Sequence, residues 1–157
     1  MSELVAKVTD DLYVGQIEAV AQTEDQYDTI ISVCQDARQD NVSDNTTYVH
    51  YPLADDERSQ IDWGGRFDYE TFHNAAWETV TRLETGNTVL VHCHHGRNRS
   101  VAVVAAAFGH YYEYSPLDAY DFVRSARPQA DSNDTMRTWM AWFINGVKPE
   151  DVNNGMI

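Results

Sequence analysis

The segment Val89-Leu90-Val91-His92-Cys93-His94-His95-Gly96-Arg97-Asn98-Arg99-Ser100 is where this chain concentrates chemistry. An apolar, β-branched run ends at a cysteine, a short loop with a single glycine follows, and a helix is predicted from about Arg99. In such a strand-loop-helix turn the loop amides converge on one point and the new helix adds the positive end of its dipole. A dianionic phosphoryl group suits that nest, cradled by the backbone of His94, His95, Gly96, Arg97, Asn98 and Arg99. Gly96 allows a positive φ or a close approach of backbone to ligand. Arg99, six residues beyond Cys93, offers a planar fork to two phosphate oxygens, which lysine lacks. The same field favours the thiolate of Cys93, the nucleophilic form of the side chain. Ser100 is placed to donate a hydrogen bond to that sulfur and so improve it as a leaving group.

His92, His94 and His95 around Cys93 raise the question of a metal. Ligand pairs in zinc sites are usually separated by two or more residues, and adjacent residues at a strand-to-loop turn point in different directions. Neither a metal nor a cofactor is therefore expected. His94 and His95 shape the pocket rim or add positive charge there. Arg97 either contacts a second anionic group or is solvated.

The elements that must position these groups follow from periodicity and turn residues. Val5–Val8 and Leu12–Gly15 read as short strands split by the turn Thr9-Asp10-Asp11. Thr29–Cys34 reads as a buried strand, Gln35 to Thr47 as a polar loop, and Tyr48–Tyr51 as a strand closed by Pro52. Phe72, Ala76, Val80 and Leu83 recur at helical spacing between Phe67 and Leu83. Thr85-Gly86-Asn87 ends that helix and leads into the strand Thr88–Val91. Helices are predicted over Arg99–Tyr112, from Pro116 with Ser115 as N-cap to about Arg127-Pro128, and over Thr135–Ile144. Strands alternating with helices predict one α/β domain, residues 1–157. Its central, largely parallel, twisted sheet has four to five strands, is flanked by helices and is covered on both faces.

His92-Cys93, five residues, then Arg99-Ser100 resembles the HCxxGxxRS signature of protein tyrosine phosphatases. The surroundings resemble the dual-specificity branch. Leu12-Tyr13-Val14-Gly15 is similar to its early LYLG strand, Thr29–Val33 to its next core strand, and Arg127-Pro128 with Asn133 to its RP…N stretch. The resemblance implies phosphomonoester hydrolysis through a phosphocysteine, with phosphotyrosine, phosphoserine or phosphothreonine proteins as substrates. The same chemistry on a small molecule, nucleotide or RNA 5′ phosphate, and a silent phosphate-binding module, are the alternatives. Such chemistry needs a proton donor for the leaving oxygen. The family places an aspartate three residues after a proline upstream of the cysteine. In Tyr51-Pro52-Leu53-Ala54-Asp55-Asp56-Glu57 that points to Asp55, with Asp56 as the other candidate. The resemblance also implies that His92 orders the loop. In some relatives a cysteine near Cys34 forms a reversible disulfide with the nucleophile; as an ordinary residue Cys34 is a small buried apolar group. Trp139, Trp142 and Phe143 read as core, whereas Trp63 beside Gly64-Gly65 either lines the site or packs on the surface. The short Leu53–Phe67 connection suggests a shallow site.

The whole chain bounds what this site can serve. Of 157 residues, 25 are acidic and 11 basic, only Lys7 and Lys148 being lysines, for a formal charge of −14. Such a surface repels nucleic acid and anionic membranes. It is similar to that of proteins from organisms with molar salt inside the cell, where the Debye length shrinks to about 3 Å; an ordinary acidic protein is the alternative. Two cysteines make no disulfide framework. The N-terminal residues do not read as a signal peptide, and Val101–Phe108 is too short to cross a bilayer. A cytoplasmic setting is the expectation; the oligomeric state stays open.

Overall fold

The computed structural model describes residues 4–22, 26–35, 44–56 and 67–153. Its elements are β1 (Val5–Lys7), β2 (Leu12–Gln16), a 3-10 helix (Ile17–Gln22), β3 (Thr29–Ser32), β4 (Thr47–His50) and α1 (Tyr69–Glu84), followed by β5 (Val89–Cys93), α2 (Arg99–Tyr112), α3 (Pro116–Ala126), α4 (Asp134–Ile144) and α5 (Pro149–Asn153). The five strands form one sheet in the order β1-β2-β5-β3-β4. Strands β2, β5, β3 and β4 are mutually parallel, and β1 joins the edge antiparallel. The expected α/β architecture is the observed one.

Strand β5 lies in the middle of the sheet: Leu90 pairs with both Tyr13 and Ile30, and Val91 with both Val14 and Ile31. A strand hydrogen-bonded on both sides and covered on both faces must be apolar throughout, which is why Val89-Leu90-Val91 does not alternate with polar residues. Parallel pairing also brings the C-terminal ends of β2, β3 and β5 to one edge. Cys93 sits at that edge, where open α/β sheets place their sites.

The two faces are covered unequally. Val14, Ile31, Val89 and Val91 point to the large core, where α1 contributes Phe72, Ala76 and Val80, and α2 contributes Val101 to Phe108. Helices α3 and α4 stack on α2 rather than on the sheet. Ile30 and Leu90 point the other way and are met by Ala19, Val20 and Tyr27. Among the described residues the α-helices gather on one face and the 3-10 helix covers the other, so both faces are covered as expected. Residues 17–28 between β2 and β3 are too few for a long crossover helix.

Local signals explain most boundaries. Helix α1 starts two residues after Phe67 because Asp68 caps it, its Oδ1 accepting from Thr71 N at 2.8 Å. Helix α3 has the predicted start, with Ser115 Oγ accepting from Asp118 N at 3.2 Å and Pro116 in the first turn. Strand β1 stops before Val8, whose amide turns to Leu12 O at 2.9 Å. The 3-10 helix and α5 were not anticipated. Trp139 and Phe143 are buried, and Trp142 packs edge-on against Tyr69 with centroids 5.2 Å apart. Most of the loop expected over Gln35 to Thr47, and Trp63 with Gly64-Gly65, lie outside the described residues.

Candidate active site

Strand β5 ends on Cys93, and α2 begins at Arg99; residues 94–98 form the loop between them. The Cys93 sulfur accepts from Gly96 N at 3.3 Å and lies 3.1 Å from Ser100 Oγ. Ser100 Oγ is also 3.5 Å from Gly15 O on the neighbouring strand β2. Gly96 has φ +66°, and a Cβ there would stand 2.7 Å from the Gly15 carbonyl and 2.9 Å from Arg127 Nη2. Both the conformation and the space therefore require glycine.

Arg127 explains how the loop holds its shape. Although charged, it is only 1% exposed, and its Nε donates to Gly96 O at 2.5 Å while Nη2 reaches His95 O at 3.4 Å. In a planar trans peptide the carbonyl of one residue and the amide of the next point in opposite directions. Drawing the His95 and Gly96 carbonyls toward Arg127 thus turns the Gly96 and Arg97 amides the other way. The Gly96 amide accordingly meets the sulfur. Sequence reasoning noted Arg127 only as part of a family match; its burial beneath the loop depends on α3 packing along α2.

Asn98 departs from the usual habit of its residue type at a helix start. It precedes α2 but makes no side-chain cap. Its Nδ2 instead donates to Asp55 Oδ1 at 2.6 Å, and its Oδ1 accepts from Asn133 N at 2.9 Å. The first amides of α2 are left without a side-chain acceptor, which is the condition under which a helix N-terminus attracts an anion.

Arg99 is 5% exposed. Its Nη1 donates to Leu53 O at 2.9 Å and to Gln35 Oε1. Its Nε is buried without a hydrogen bond among the described residues, 3.4 Å from Asp55 Oδ1. One edge of the guanidinium is thus anchored to the scaffold and its other donors remain available. Asp55 is half-exposed, and Asn133 Nδ2 donates to its carbonyl oxygen at 3.0 Å. Asp55, Cys93, His95, Arg97, Asn98, Arg99 and Asp131 line one cavity of about 270 Å³. Asp56 and His94 are not among its lining residues.

The histidines separate by environment. His92 is fully buried in β5, and burial above all, with His50 and Arg99 adding, pushes its pKa down to about 4. Its Nδ1 donates to Cys93 O at 3.3 Å, and Nε2 has no partner among the described residues. His94 and His95 are exposed, their rings edge-on at 4.5 Å. Among the described residues no three His, Cys, Asp or Glu side chains gather as metal ligands would. Cys34 is a buried thiol two residues beyond β3, 3.5 Å from Ser32 Oγ, and its carbonyl accepts from His50 Nε2 at 2.7 Å.

The arrangement unites a buried sulfur, a cradle of amides, a half-anchored guanidinium and a carboxylate on one small cavity. Gln35 and Asp131 joined it without having been singled out, and Asn133 had been noted only through the RP…N resemblance. They lie far from Cys93 in sequence, and no local pattern marks Gln35 or Asp131.

Comparisons with known proteins agree with this geometry. The dual specificity phosphatase catalytic domain matches residues 12–145. The 123R protein of Invertebrate iridescent virus 6, named as a tyrosine phosphatase, is 29% identical over 122 residues, 77% of this chain and 78% of that one. Mouse dual specificity protein phosphatase 12 is 45% identical over 49 residues, which span 31% of this chain and 14% of that longer protein. Human DUSP28 has the same fold, with a TM-score of 0.76 at 20% identity over 94% of this chain and 97% of that one. The family match spans strands β2 to β5 and the loop after Cys93: this chain belongs to the dual specificity phosphatase catalytic-domain family, and is a phosphoric monoester hydrolase of the protein tyrosine phosphatase type.

Proposed function

We propose that the chain dephosphorylates phosphotyrosine proteins, and phosphoserine or phosphothreonine proteins where they reach the sulfur, through a phosphocysteine on Cys93. The observation that carries this reading is the meeting of Cys93, Arg99 and Asp55 on one cavity, with Arg99 Nε buried and without a hydrogen bond among the described residues. The Cys93 thiolate attacks phosphorus in line with the ester oxygen. As the P–O bond breaks, Asp55 transfers its proton to the leaving oxygen, and the phosphoryl group remains on sulfur. Water then attacks phosphorus, giving its proton to Asp55, and the P–S bond breaks to release phosphate and restore the thiolate.

Each step has a supporting contact. Arg99 and the amides of the 94–99 loop balance charge on the three equatorial oxygens. The Ser100 hydroxyl, 3.1 Å from the sulfur, donates to the thiolate as it departs in the second step. Asn98 holds Oδ1 of Asp55, which leaves Oδ2 to address the leaving oxygen. No step calls for a metal. A thiolate nucleophile works only where it stays reduced, which favours the cytoplasm. Among the described residues no helix is long and apolar enough to cross a membrane.

The test is turnover of p-nitrophenyl phosphate in molar KCl with EDTA, native chain against Cys93→Ser. Turnover by the native chain, blocked by vanadate and lost in the variant, supports the mechanism. A folded, reduced native chain that binds phosphate without turnover would make it a binding module. Activity surviving in Cys93→Ser would remove the sulfur from the reaction.

A further inference from the structure

Beyond the cavity that holds Cys93 lies a second and larger one, about 590 Å³, lined by Asp55, Asn98, Asp131, Ser132, Asn133, Asp134 and Arg137. The two share Asp55, Asn98 and Asp131. A phosphoryl group held in the first therefore brings its flanking chain within reach of the second. Arg99, which lines the first cavity, keeps its Nε buried without a hydrogen bond among the described residues and 3.4 Å from Asp55 Oδ1.

The wall between the cavities is stitched to the phosphate loop. Asp131 N donates to Arg97 O at 2.7 Å, Ser132 Oγ to Asn98 O at 2.8 Å, and Asn133 N to Asn98 Oδ1 at 2.9 Å. The backbone that carries Asp131 and Asp134 thus stands at a set place relative to the phosphate loop. Both residues are exposed, and among the described residues neither pairs with a cation. The one cation lining this groove, Arg137, is turned onto Tyr120: its guanidinium carbon lies 4.6 Å from the ring centroid, and Nη2 donates to Tyr120 Oη at 3.3 Å. The groove's negative charge is left for a partner.

We propose that this groove binds the flank of the substrate chain, and that Asp131 and Asp134 select phosphorylated residues with arginine or lysine beside them. The proposal rests on reading the first cavity as a phosphatase site. Complementary charge in a preorganised groove discriminates between partners more than it adds raw affinity. A phosphopeptide with acidic flanks would meet like charge at the same place.

The experiment uses three phosphotyrosine peptides that differ only in flanking residues, arginine, alanine or glutamate, with p-nitrophenyl phosphate assayed alongside. At 0.15 M salt the arginine peptide is expected to exceed the alanine peptide in kcat/KM by about threefold to tenfold, chiefly through KM, as exposed ion pairs allow. The glutamate peptide is expected to fall below both. Molar KCl, with a Debye length of about 3 Å, should erase most of the difference. Asp131→Asn with Asp134→Asn should flatten the preference, and each single substitution should remove part of it.

Glu84→Gln with Glu113→Gln removes the same formal charge elsewhere. Glu84 ends α1, and Glu113 follows α2 at the end away from the phosphate loop; this variant should keep the preference. Equal rates on all three peptides, or a preference that survives loss of both aspartates, would overturn the proposal. A preference lost equally in the Glu84 and Glu113 variant would trace it to net charge and overturn it too. No turnover of p-nitrophenyl phosphate by the native chain would instead sink the phosphatase reading beneath it.

Discussion

Asn98 donates a 2.6 Å hydrogen bond to Asp55 across 43 residues of sequence. It does so from a position where an asparagine would ordinarily cap the helix that follows. The substitution of one partner for another has two effects at once. The N-terminal amides of α2 stay open toward the cavity, and the carboxylate is held over its edge. Asn133, which does cap its own helix α4 by accepting from Met136 N at 2.9 Å, reaches across to the Asp55 carbonyl and braces the same loop.

Asp55→Asn should lower kcat by about 10²–10⁴-fold on phenyl phosphate, the range for losing a positioned proton donor. The loss should shrink for aryl esters whose leaving groups need no proton. Steady-state rates across a series of aryl phosphates test this. Equal losses for good and poor leaving groups would deny Asp55 the role of acid, and a comparable effect of Asp56→Asn would move the assignment. Asn98→Ala, which frees the carboxylate, should reproduce a milder form of the same pattern while vanadate still binds.

Arg127→Lys should weaken vanadate inhibition, because one ammonium cannot hold both the His95 and Gly96 carbonyls in the guanidinium geometry. A loss of stability of roughly 2–4 kcal/mol is expected as well, since hydrogen bonds to buried charged groups are each worth about 1.5–3 kcal/mol. Inhibition constants and denaturant midpoints read the two effects separately. Unchanged vanadate affinity would show that the loop amides aim without help from Arg127.

Gly96→Ala meets two obstacles, a φ of +66° and a Cβ 2.7 Å from the Gly15 carbonyl. Backbone held in that region costs a non-glycine residue about 1–3 kcal/mol before the contact is counted. The variant should lose most turnover, with a lowered denaturation midpoint. Near-native turnover would mean that the loop has another shape when it works.

His92 makes stability depend on pH. An imidazole in the unfolded chain takes up a proton near pH 6.5, whereas the buried His92 resists until about pH 4. Between those values the unfolded state binds more protons than the folded one. The contribution of His92 to stability is therefore flat above pH 6.5 and falls as pH drops toward 4, by roughly 3 kcal/mol in all. Urea unfolding between pH 7.5 and 5 should show a steeper decline for the native chain than for His92→Asn. Parallel slopes would show that another group governs the dependence.

Local chemistry accounts for what could be read without a structure. A strand, a cysteine, one glycine and an arginine six residues on act within a single turn, so their spacing alone defines a phosphate cradle. The Ser115-Pro116 start of α3 and the apolar run of β5 depend only on neighbours and on burial, and they too were legible. Asp55 stood out only through a family pattern, because a carboxylate among 25 acidic residues has no local mark. The folded chain alone decided the rest. Arg127 reaches the loop from 31 residues away, Asn98 trades its cap for Asp55, and the described α-helices crowd one face of the sheet. Such contacts join parts of the chain that only the closed sheet and its stacked helices bring together, and no periodicity within one segment encodes them.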